Sequence, residues 1–278
     1  AYEIRNCDWS SDVCSSDLGH SLNDLLMKGP PSILDLFSVT LGMREYPYVL
    51  AKDLSKFYNR VEADELTQHV RRVIWRNGNE EESPTVYVTT TVNFGDKPAG
   101  CIAIVAVKKT VEMFGKDRPE AAWFLLNRTY VDDCLAGSYT KEGLEEISKD
   151  MEDIVRRGGF TFKETRKSGD PNGEEGPVKV LGLIWDTEKD KLKVDIKVNF
   201  SGKRKGALLG PDVDLENDDV GECLPKSVTK RIIWRVAQGQ YDPLGLLSPY
   251  LVRLKMLMSQ LSDEKGSVQG WEIGRAHV

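Results

Sequence analysis

The stretch YVDDC, residues 130–134, places two adjacent carboxylates inside a mostly apolar part of the sequence. The residues from Trp123 to Ala136 that surround it are largely apolar. Such a run, interrupted by acidic residues, predicts a strand, a turn and a second strand. We therefore expect a hairpin with Asp132 and Asp133 at its tip.

A third carboxylate, Asp53, closes the stretch YPYVLAKD at residues 46–53. This short apolar run bounded by polar residues predicts a buried strand that ends at Asp53. If that strand lies beside the hairpin, the three carboxylates could hold two divalent cations, Mg²⁺ or Mn²⁺, because hard oxygen ligands suit such ions. A pair of metal ions can activate an attacking hydroxyl and stabilise the leaving group of a phosphoryl transfer. Taken alone, paired aspartates are more often solvated turn residues, so the pattern leaves both interpretations open.

The remaining pattern predicts an α+β fold. Apolar residues at helical spacing predict helices at residues 33–41, 97–113, 141–157 and 227–261, the last interrupted at residues 242–243. Strand-like runs lie at residues 85–92, 178–185 and 191–198, and residues 201–222 predict an exposed linker. This order is neither a βαβ repeat nor an all-β pattern, and it favours an antiparallel sheet with helices on one face.

Composition limits the function classes only weakly. The 278 residues are 40% hydrophobic with a net charge of −6, which argues against a strongly basic nucleic-acid binder but not against a polymerase with a locally basic cleft. No stretch approaches the roughly 20 apolar residues of a membrane-spanning helix, so we expect no membrane partner. Outside residues 1–18, the cysteines Cys101, Cys134 and Cys223 show no CxxC spacing, which predicts a reduced intracellular protein without a zinc site. The sequence does not decide between a cytoplasmic particle and the nucleus.

The two ends of the sequence resemble translated sequencing adapter. DWSSDVCSSDL at residues 8–18 and AYEI at residues 1–4 fit two constant blocks of one such primer, and EIGRAHV at residues 272–278 fits another. We therefore expect residues 1–18 and 272–278 to be artefacts, and such segments are kept out of fold reasoning.

Seven motifs follow one another in an order that resembles the reverse transcriptases of BEL/Pao-type long-terminal-repeat retrotransposons. They are SLNDLLMKGP (21–30), AKDLSKFYNRV (51–61), FGDKPAG (94–100), YVDD (130–133), GGF (158–160), LGLIWD (181–186) and YDPLGLLSP (241–249). The resemblance implies a right-hand polymerase palm at residues 19–200, a flexible linker at 201–226 and a helical thumb or connection segment at 227–271.

The resemblance also implies roles for individual residues. Asp53, Asp132 and Asp133 would be the catalytic metal ligands of an RNA-directed DNA polymerase, with the backbone carbonyl of Leu54 as a further ligand. Tyr58 would lie under the sugar of the incoming deoxynucleotide and exclude a ribose 2′-OH, although a core aromatic is an equally good interpretation.

Other parts of the site would contact the remaining substrates. Phe94 and Gly95 would open the segment that packs against template and nucleotide, and residues 181–185 would form the strand that holds the primer end. The implied partners are an RNA or DNA template with its primer, a deoxynucleoside triphosphate, and the protease, RNase H and integrase domains of a Pol polyprotein.

Several points stay open at this stage. The lysine proposed as general acid in this family could correspond to Lys163, Arg166 or Lys167. FGDKPAG departs from the commoner FG-Ser-Ser-Pro, which puts its contact residues in doubt. No protease, RNase H or integrase motif is recognised. The fingers, the part of the polymerase that holds the triphosphate in this family, are largely missing. We therefore expect this chain alone to be a fragment that does not polymerise.

Two rival hypotheses accompany the polymerase. The first is a non-catalytic nucleic-acid-binding remnant or a domesticated palm. The second is an unrelated soluble metal-binding domain, which would need Asp53 to lie far from Asp132.

Overall fold

The structure is a computed structural model that describes residues 22–79, 81–173, 176–201, 203–204, 207–208, 210–215, 217–225 and 230–263. The terminal segments expected to be adapter sequence, and parts of the predicted linker, lie outside the described residues. The chain divides into two compact units. The first holds the described residues up to Pro171 together with Thr187–Lys189, and the second holds Asn172–Asp186 and the described residues from Asp190 onward.

The fold is mixed α+β with antiparallel sheets, as predicted. The helices of the first unit are α1 (Leu22–Leu25), α2 (Leu36–Gly42), α3 (Glu65–Val70), α4 (Ala99–Phe114), α5 (Pro119–Asn127) and α6 (Lys141–Arg157). Its strands are β1 (Tyr48–Leu54), β2 (Arg72–Trp75), β3 (Thr85–Val88), β4 (Thr129–Tyr130), β5 (Asp133–Ser138) and β6 (Phe162–Lys167). The second unit contains β7 (Val178–Val180), β8 (Leu183–Asp186), β9 (Lys191–Val194), β10 (Lys203–Arg204), β11 (Ala207–Leu208), α7 (Lys230–Gln238) and α8 (Ser248–Asp263).

A four-stranded antiparallel sheet in the order β4-β5-β1-β6 forms the centre of the first unit. Leu50 of β1 is paired with Ala136 of β5, and both belong to the buried core that α4, α5 and α6 complete. Since side chains alternate between the two faces of a strand, Asp53 projects from the face opposite to Leu50. The helices therefore cover one face of the sheet at the Leu50–Ala136 pair, and Asp53 belongs to the other face.

Local sequence signals account for the helix that covers this sheet most closely. Thr140 caps α6 by accepting a hydrogen bond from the Gly143 amide, and Gly158 and Gly159 end the helix, the latter at a φ of +83°. The apolar residues predicted to form one face are all buried; they are Leu144, Ile147, Met151, Ile154 and Val155. Both the existence and the orientation of this helix are thus confirmed.

Two predicted elements differ in the structure. Residues 123–127, expected to lead into the hairpin as a strand, belong to helix α5, because Pro119 starts a helix and Ala121, Phe124 and Leu125 are buried at helical spacing. The strand expected at residues 178–185 is two strands, β7 and β8, separated by a turn at Leu181 and Gly182 with φ of +51° and +79°.

The predicted linker also contains some regular structure. Strands β10 and β11 pair with each other within residues 203–208, and a few residues of the segment lie outside the described part of the chain. The helices expected at residues 227–261 are present as α7 and α8, separated near the predicted break at residues 242–243. Residues 172–200, expected in the palm, belong to the second unit apart from Thr187–Lys189.

Gly137 in β5 offers a test of packing against the central sheet. A Cβ atom at this position would lie 2.6 Å from Cγ of Tyr46, well inside contact distance. Tyr46 is itself held in edge-on contact with the rings of Phe124 and Tyr139, so it has little room to move. We expect Gly137→Ala to lower the free energy of unfolding by about 1–3 kcal/mol, as overpacked cores typically do.

Chemical denaturation would measure this effect, with Gly100→Ala as the matched control. Gly100 lies in α4, and a Cβ atom there would meet nothing within 4 Å. Because alanine has the higher helix propensity, we expect the control to be neutral or stabilising by up to ~1 kcal/mol. Equal stability of the two variants would contradict the packing argument.

Candidate active site

The three predicted aspartates come together where β1 meets the β4–β5 hairpin. Asp53 is paired directly with Asp133 across β1 and β5, and residues opposed in this way project from the same face. The backbone N–H of Leu54 donates a 3.0 Å hydrogen bond to the carbonyl oxygen of Asp132. Asp53 and Asp132 are thus neighbours, contrary to the hypothesis that required them to be far apart.

The hairpin that carries Asp132 is tight and strained. Tyr130 pairs with Asp133, so Val131 and Asp132 form a two-residue turn. Val131 has a φ of +57°, a left-handed conformation that is unusual for a β-branched residue. Such a conformation costs roughly 1–3 kcal/mol and persists where surrounding structure fixes it, commonly at functional sites. Contact with the buried core holds Val131 in place here.

The carboxylates of the site oppose one another electrostatically. Burial raises the pKa of Asp132, and the charge of Asp53 raises it further, against a lowering by a backbone hydrogen bond. Burial also raises the pKa of Asp53, with Lys163 lowering it and Glu164 raising it. Burial is thus the main cause of the raised pKa of both carboxyl groups, and the charge of Asp53 adds to it at Asp132.

Cys134 is buried next to these carboxylates, and all three affect the pKa of its thiol. Burial raises the pKa of its thiol to about 12, and the charges of Asp133, Asp132 and Asp53 contribute in the same direction. A thiol with this pKa remains protonated at neutral pH and is a poor nucleophile. Cys134 is therefore part of the packing beneath the site rather than a reactive group.

The donor atoms of the site are of the kind that suits a divalent cation. Carboxylate oxygens are hard ligands, which Mg²⁺ prefers. In the described part of the chain, which includes Asp53, Asp132 and Asp133, no group of three or more His, Cys, Asp or Glu side chains has an arrangement that could hold a metal ion. The structure therefore pairs Asp53 with Asp133 and lets the charge of Asp53 act on Asp132 without forming a cluster of three metal ligands.

Two aromatic residues predicted to contact the nucleotide lie together next to the aspartates. The rings of Tyr58 and Phe94 are in edge-on contact at a centroid distance of 5.1 Å, and Phe94 is 68% exposed. Burial raises the pKa of the Tyr58 hydroxyl, and the charge of Asp132 raises it further. Gly95, which was predicted with Phe94 to contact the template and nucleotide, has a φ of +83° that favours glycine.

The three candidates for the general acid differ in their surroundings. Lys163 acts electrostatically on Asp53, where the β1–β6 register shifts between Lys52 and Leu54. Arg166 donates a 2.9 Å hydrogen bond to Glu164, and Lys167 donates one of 2.5 Å to Glu145. Of the three, Lys163 is the one whose charge influences a site carboxylate.

Several residues around the site were not predicted to have a role there. Lys52 lies in the middle of β1 with a fully buried side chain, and its ammonium contacts Glu152 of α6. A lysine within an otherwise apolar strand is a signal of a buried ion pair that could have been recognised in the sequence. Asn23 and Arg71 contact the FGDKPAG loop. Because both residues are distant from this loop in sequence, no local pattern predicts these contacts.

Comparison with protein-family models gives a match in the second unit. A family model described as a Pao retrotransposon-like RNaseH-like domain matches residues 229–272, which include α7 and α8 and extend beyond the described residues. This match supports a BEL/Pao retrotransposon origin and a Pol protein context. The residues predicted to form the thumb or connection segment are thus similar to a domain described as RNaseH-like, whereas the sequence motifs had suggested no RNase H similarity. The curated proteins give no match.

Among the helices of the described residues, none is both long and apolar enough to cross a membrane.

Proposed function

We propose that the chain carries the palm of a retroelement reverse transcriptase, an RNA-directed DNA polymerase that joins deoxynucleotides to a primer 3′-OH. The carrying observation is the direct pairing of Asp53 with Asp133, with Asp132 coupled to Asp53 by charge. The order of the seven motifs and the Pol context of the C-terminal match support the same proposal. In this proposal residues 19–200 are the palm, of which residues 172–186 and 190–200 lie in the second unit, and residues 227–271, which overlap the RNaseH-like match, are the thumb or connection segment.

The chain's residues divide the work of nucleotidyl transfer. Asp53, Asp132 and Asp133, with the Leu54 carbonyl, would hold Mg²⁺ or Mn²⁺, and two such ions would activate the primer hydroxyl and stabilise the departing pyrophosphate. Tyr58 and Phe94 form a wall for the nucleotide sugar, and Gly95 lets the backbone turn beside it. Lys163 is the candidate that would supply a proton to pyrophosphate.

Binding of the correct nucleotide on a primed template tests this function. The full chain is mixed with a labelled DNA primer on an RNA template, and complex lifetime and primer extension are measured with Mg²⁺ and each deoxynucleotide. We expect the nucleotide complementary to the template to prolong the complex, and chelation of Mg²⁺ to abolish the effect. Template binding that is indifferent to nucleotide and metal would contradict the polymerase proposal and favour a non-catalytic nucleic-acid-binding remnant.

Tyr58 supplies a separate prediction about sugar selection. An aromatic ring beside Asp132 would clash with a ribose 2′-OH, so Tyr58→Val is expected to improve ribonucleotide binding relative to deoxynucleotide by about tenfold or more. Competition between the two nucleotides on the primed template measures the ratio. Tyr58→Phe, which keeps the ring, serves as the control, and an equal shift in both variants would rule out a steric filter.

A further inference from the structure

The loop that carries Phe94 is held by polar contacts rather than by its own packing. Val92 before it and Ala99 after it are buried, whereas Phe94, Gly95 and Lys97 are exposed. A segment with little buried apolar surface orders only if other interactions offset its conformational entropy. Two contacts from elsewhere in the first unit do so.

Asn23 makes the first contact through its side-chain amide. Its Nδ2 donates a 2.7 Å hydrogen bond to the carbonyl oxygen of Gly95, and its Oδ1 accepts one of 2.8 Å from the backbone N–H of Lys97. Lys97 Nζ also donates to the backbone carbonyl of Asn23 at 3.1 Å. One amide therefore satisfies a backbone acceptor and a backbone donor on both sides of Asp96, which fixes the path of the loop.

An ion pair between Arg71 and Asp96 makes the second contact. Arg71 Nη2 lies 2.6 Å from an Asp96 carboxylate oxygen, and the two side chains are only 8% and 12% exposed. Within the described residues, Nε and Nη1 of Arg71 and Oδ2 of Asp96, the oxygen that faces Arg71, are buried without a hydrogen-bond partner, so the contact is one between charges. Removing either partner would leave a buried, uncompensated charge, which is strongly unfavourable.

We infer that Asn23 and the Arg71–Asp96 pair are positioning residues for the nucleotide site, an inference that rests on the proposed polymerase function. They hold the loop so that Phe94 keeps its edge-on contact with Tyr58. The charge of Asp132 raises the pKa of the Tyr58 hydroxyl, so this ring lies close to the aspartates. Asn23, Arg71 and Asp96 are not among the residues that were predicted to contact the nucleotide. Asp96 and Lys97 replace the Ser-Ser of the commoner motif, and the ion pair gives Asp96 a structural role.

Hydrogen exchange tests the tether without requiring polymerase activity. Asn23→Ala is expected to speed exchange of the Lys97 amide by about tenfold, as for loss of hydrogen bonds of ordinary strength. Asn23→Asp keeps the acceptor for that amide and should protect it better than alanine does. Asn127→Ala, which removes an asparagine-to-backbone bond on α5, is the matched control and should leave residues 93–98 unchanged. Unchanged exchange in Asn23→Ala would overturn the inference.

Nucleotide affinity on the primed template tests the consequence for the site. Asn23→Ala and Asp96→Ala should each weaken binding of the correct deoxynucleotide about tenfold, with a much smaller change in primer–template affinity. The exchanged pair Arg71→Asp with Asp96→Arg should recover part of the loss of the single variants. A loosened loop with wild-type nucleotide affinity would refute the inference alone, whereas absence of nucleotide binding in the unaltered chain would refute the proposed function together with it.

Discussion

Replacing Asp132 by asparagine is expected to abolish the Mg²⁺-dependent lengthening of the lifetime of the primer–template complex by the correct deoxynucleotide while making the folded chain more stable at neutral pH. The proposed metal ions depend on carboxylate ligands, so loss of one ligand weakens binding of the metal that the nucleotide requires. Stability changes in the opposite direction because burial and the charge of Asp53 disfavour the ionised form of Asp132. The neutral amide keeps the shape of the side chain and removes that repulsion.

The pH dependence of stability distinguishes this effect from a change in packing. The pKa of Asp132 is raised in the folded state, so the folded chain binds the proton more tightly than the unfolded chain does. Stability from this group is fully present below its unfolded pKa of about 3.9 and is lost as pH rises through the folded value. The advantage of Asp132→Asn should therefore be largest at neutral pH and disappear in acid.

Denaturation across this pH range, with and without Mg²⁺, measures the prediction. Mg²⁺ should stabilise the unaltered chain more than Asp132→Asn, because the variant has lost a ligand and the repulsion that the cation relieves. Asp64→Asn is the control, since Asp64 is exposed and hydrogen bonds from Thr67 lower its pKa, so no gain in stability is expected. A variant less stable than the unaltered chain at neutral pH would contradict the electrostatic account.

How much of this site could be predicted depends on whether the signal was local. The strand ending near Asp53 and the hairpin carrying Asp132 and Asp133 were expected, since apolar runs and their polar boundaries specify them. The α+β class followed from the order of such segments. The opposition of Asp53 to Asp133 required the register of two strands far apart in sequence, which no local pattern contains.

Failures of prediction had equally specific causes. The apolar residues 123–127 before the hairpin were expected to form a strand. They belong instead to helix α5, because Pro119 starts a helix and the buried residues that follow it have helical spacing. Leu181 was expected inside a strand, and its left-handed conformation instead divides β7 from β8. The contacts of Asn23 and Arg71 with the FGDKPAG loop depend on tertiary structure, so neither residue was singled out beforehand.

Glu152→Ala is expected to destabilise the chain by about 2–4 kcal/mol, although Glu152 itself is largely exposed. Its partner Lys52 has no exposed side-chain surface, and its ammonium lies 2.5 Å from the Glu152 carboxylate and 5.0 Å from the centre of the Phe162 ring. Removing one partner of a buried pair typically costs about 3–5 kcal/mol. The partial exposure of Glu152 lowers this expectation, because water already shares its charge.

Lys52→Met separates the cost of an unpaired charge from the value of the pair. Methionine fills a similar volume without a charge, so we expect Lys52→Met, alone or with Glu152→Ala, to be close to neutral. Equilibrium denaturation of the single and double variants would give their coupling free energy. Glu112→Ala breaks the exposed Lys109–Glu112 pair and should change stability by less than about 0.5 kcal/mol.

The stability changes of these variants bear on the site because Lys52 and Asp53 are adjacent in β1 and project from opposite faces of the sheet. Lys52 is paired with Cys134, and Asp53 with Asp133, in the same strand register. If Glu152→Ala is no more destabilising than Glu112→Ala, Lys52 reaches solvent or another partner in solution. If it is strongly destabilising and Lys52→Met is not, α6 holds a positive charge beneath the carboxylates through one ion pair, and this pair fixes the end of β1 on which Asp53 depends.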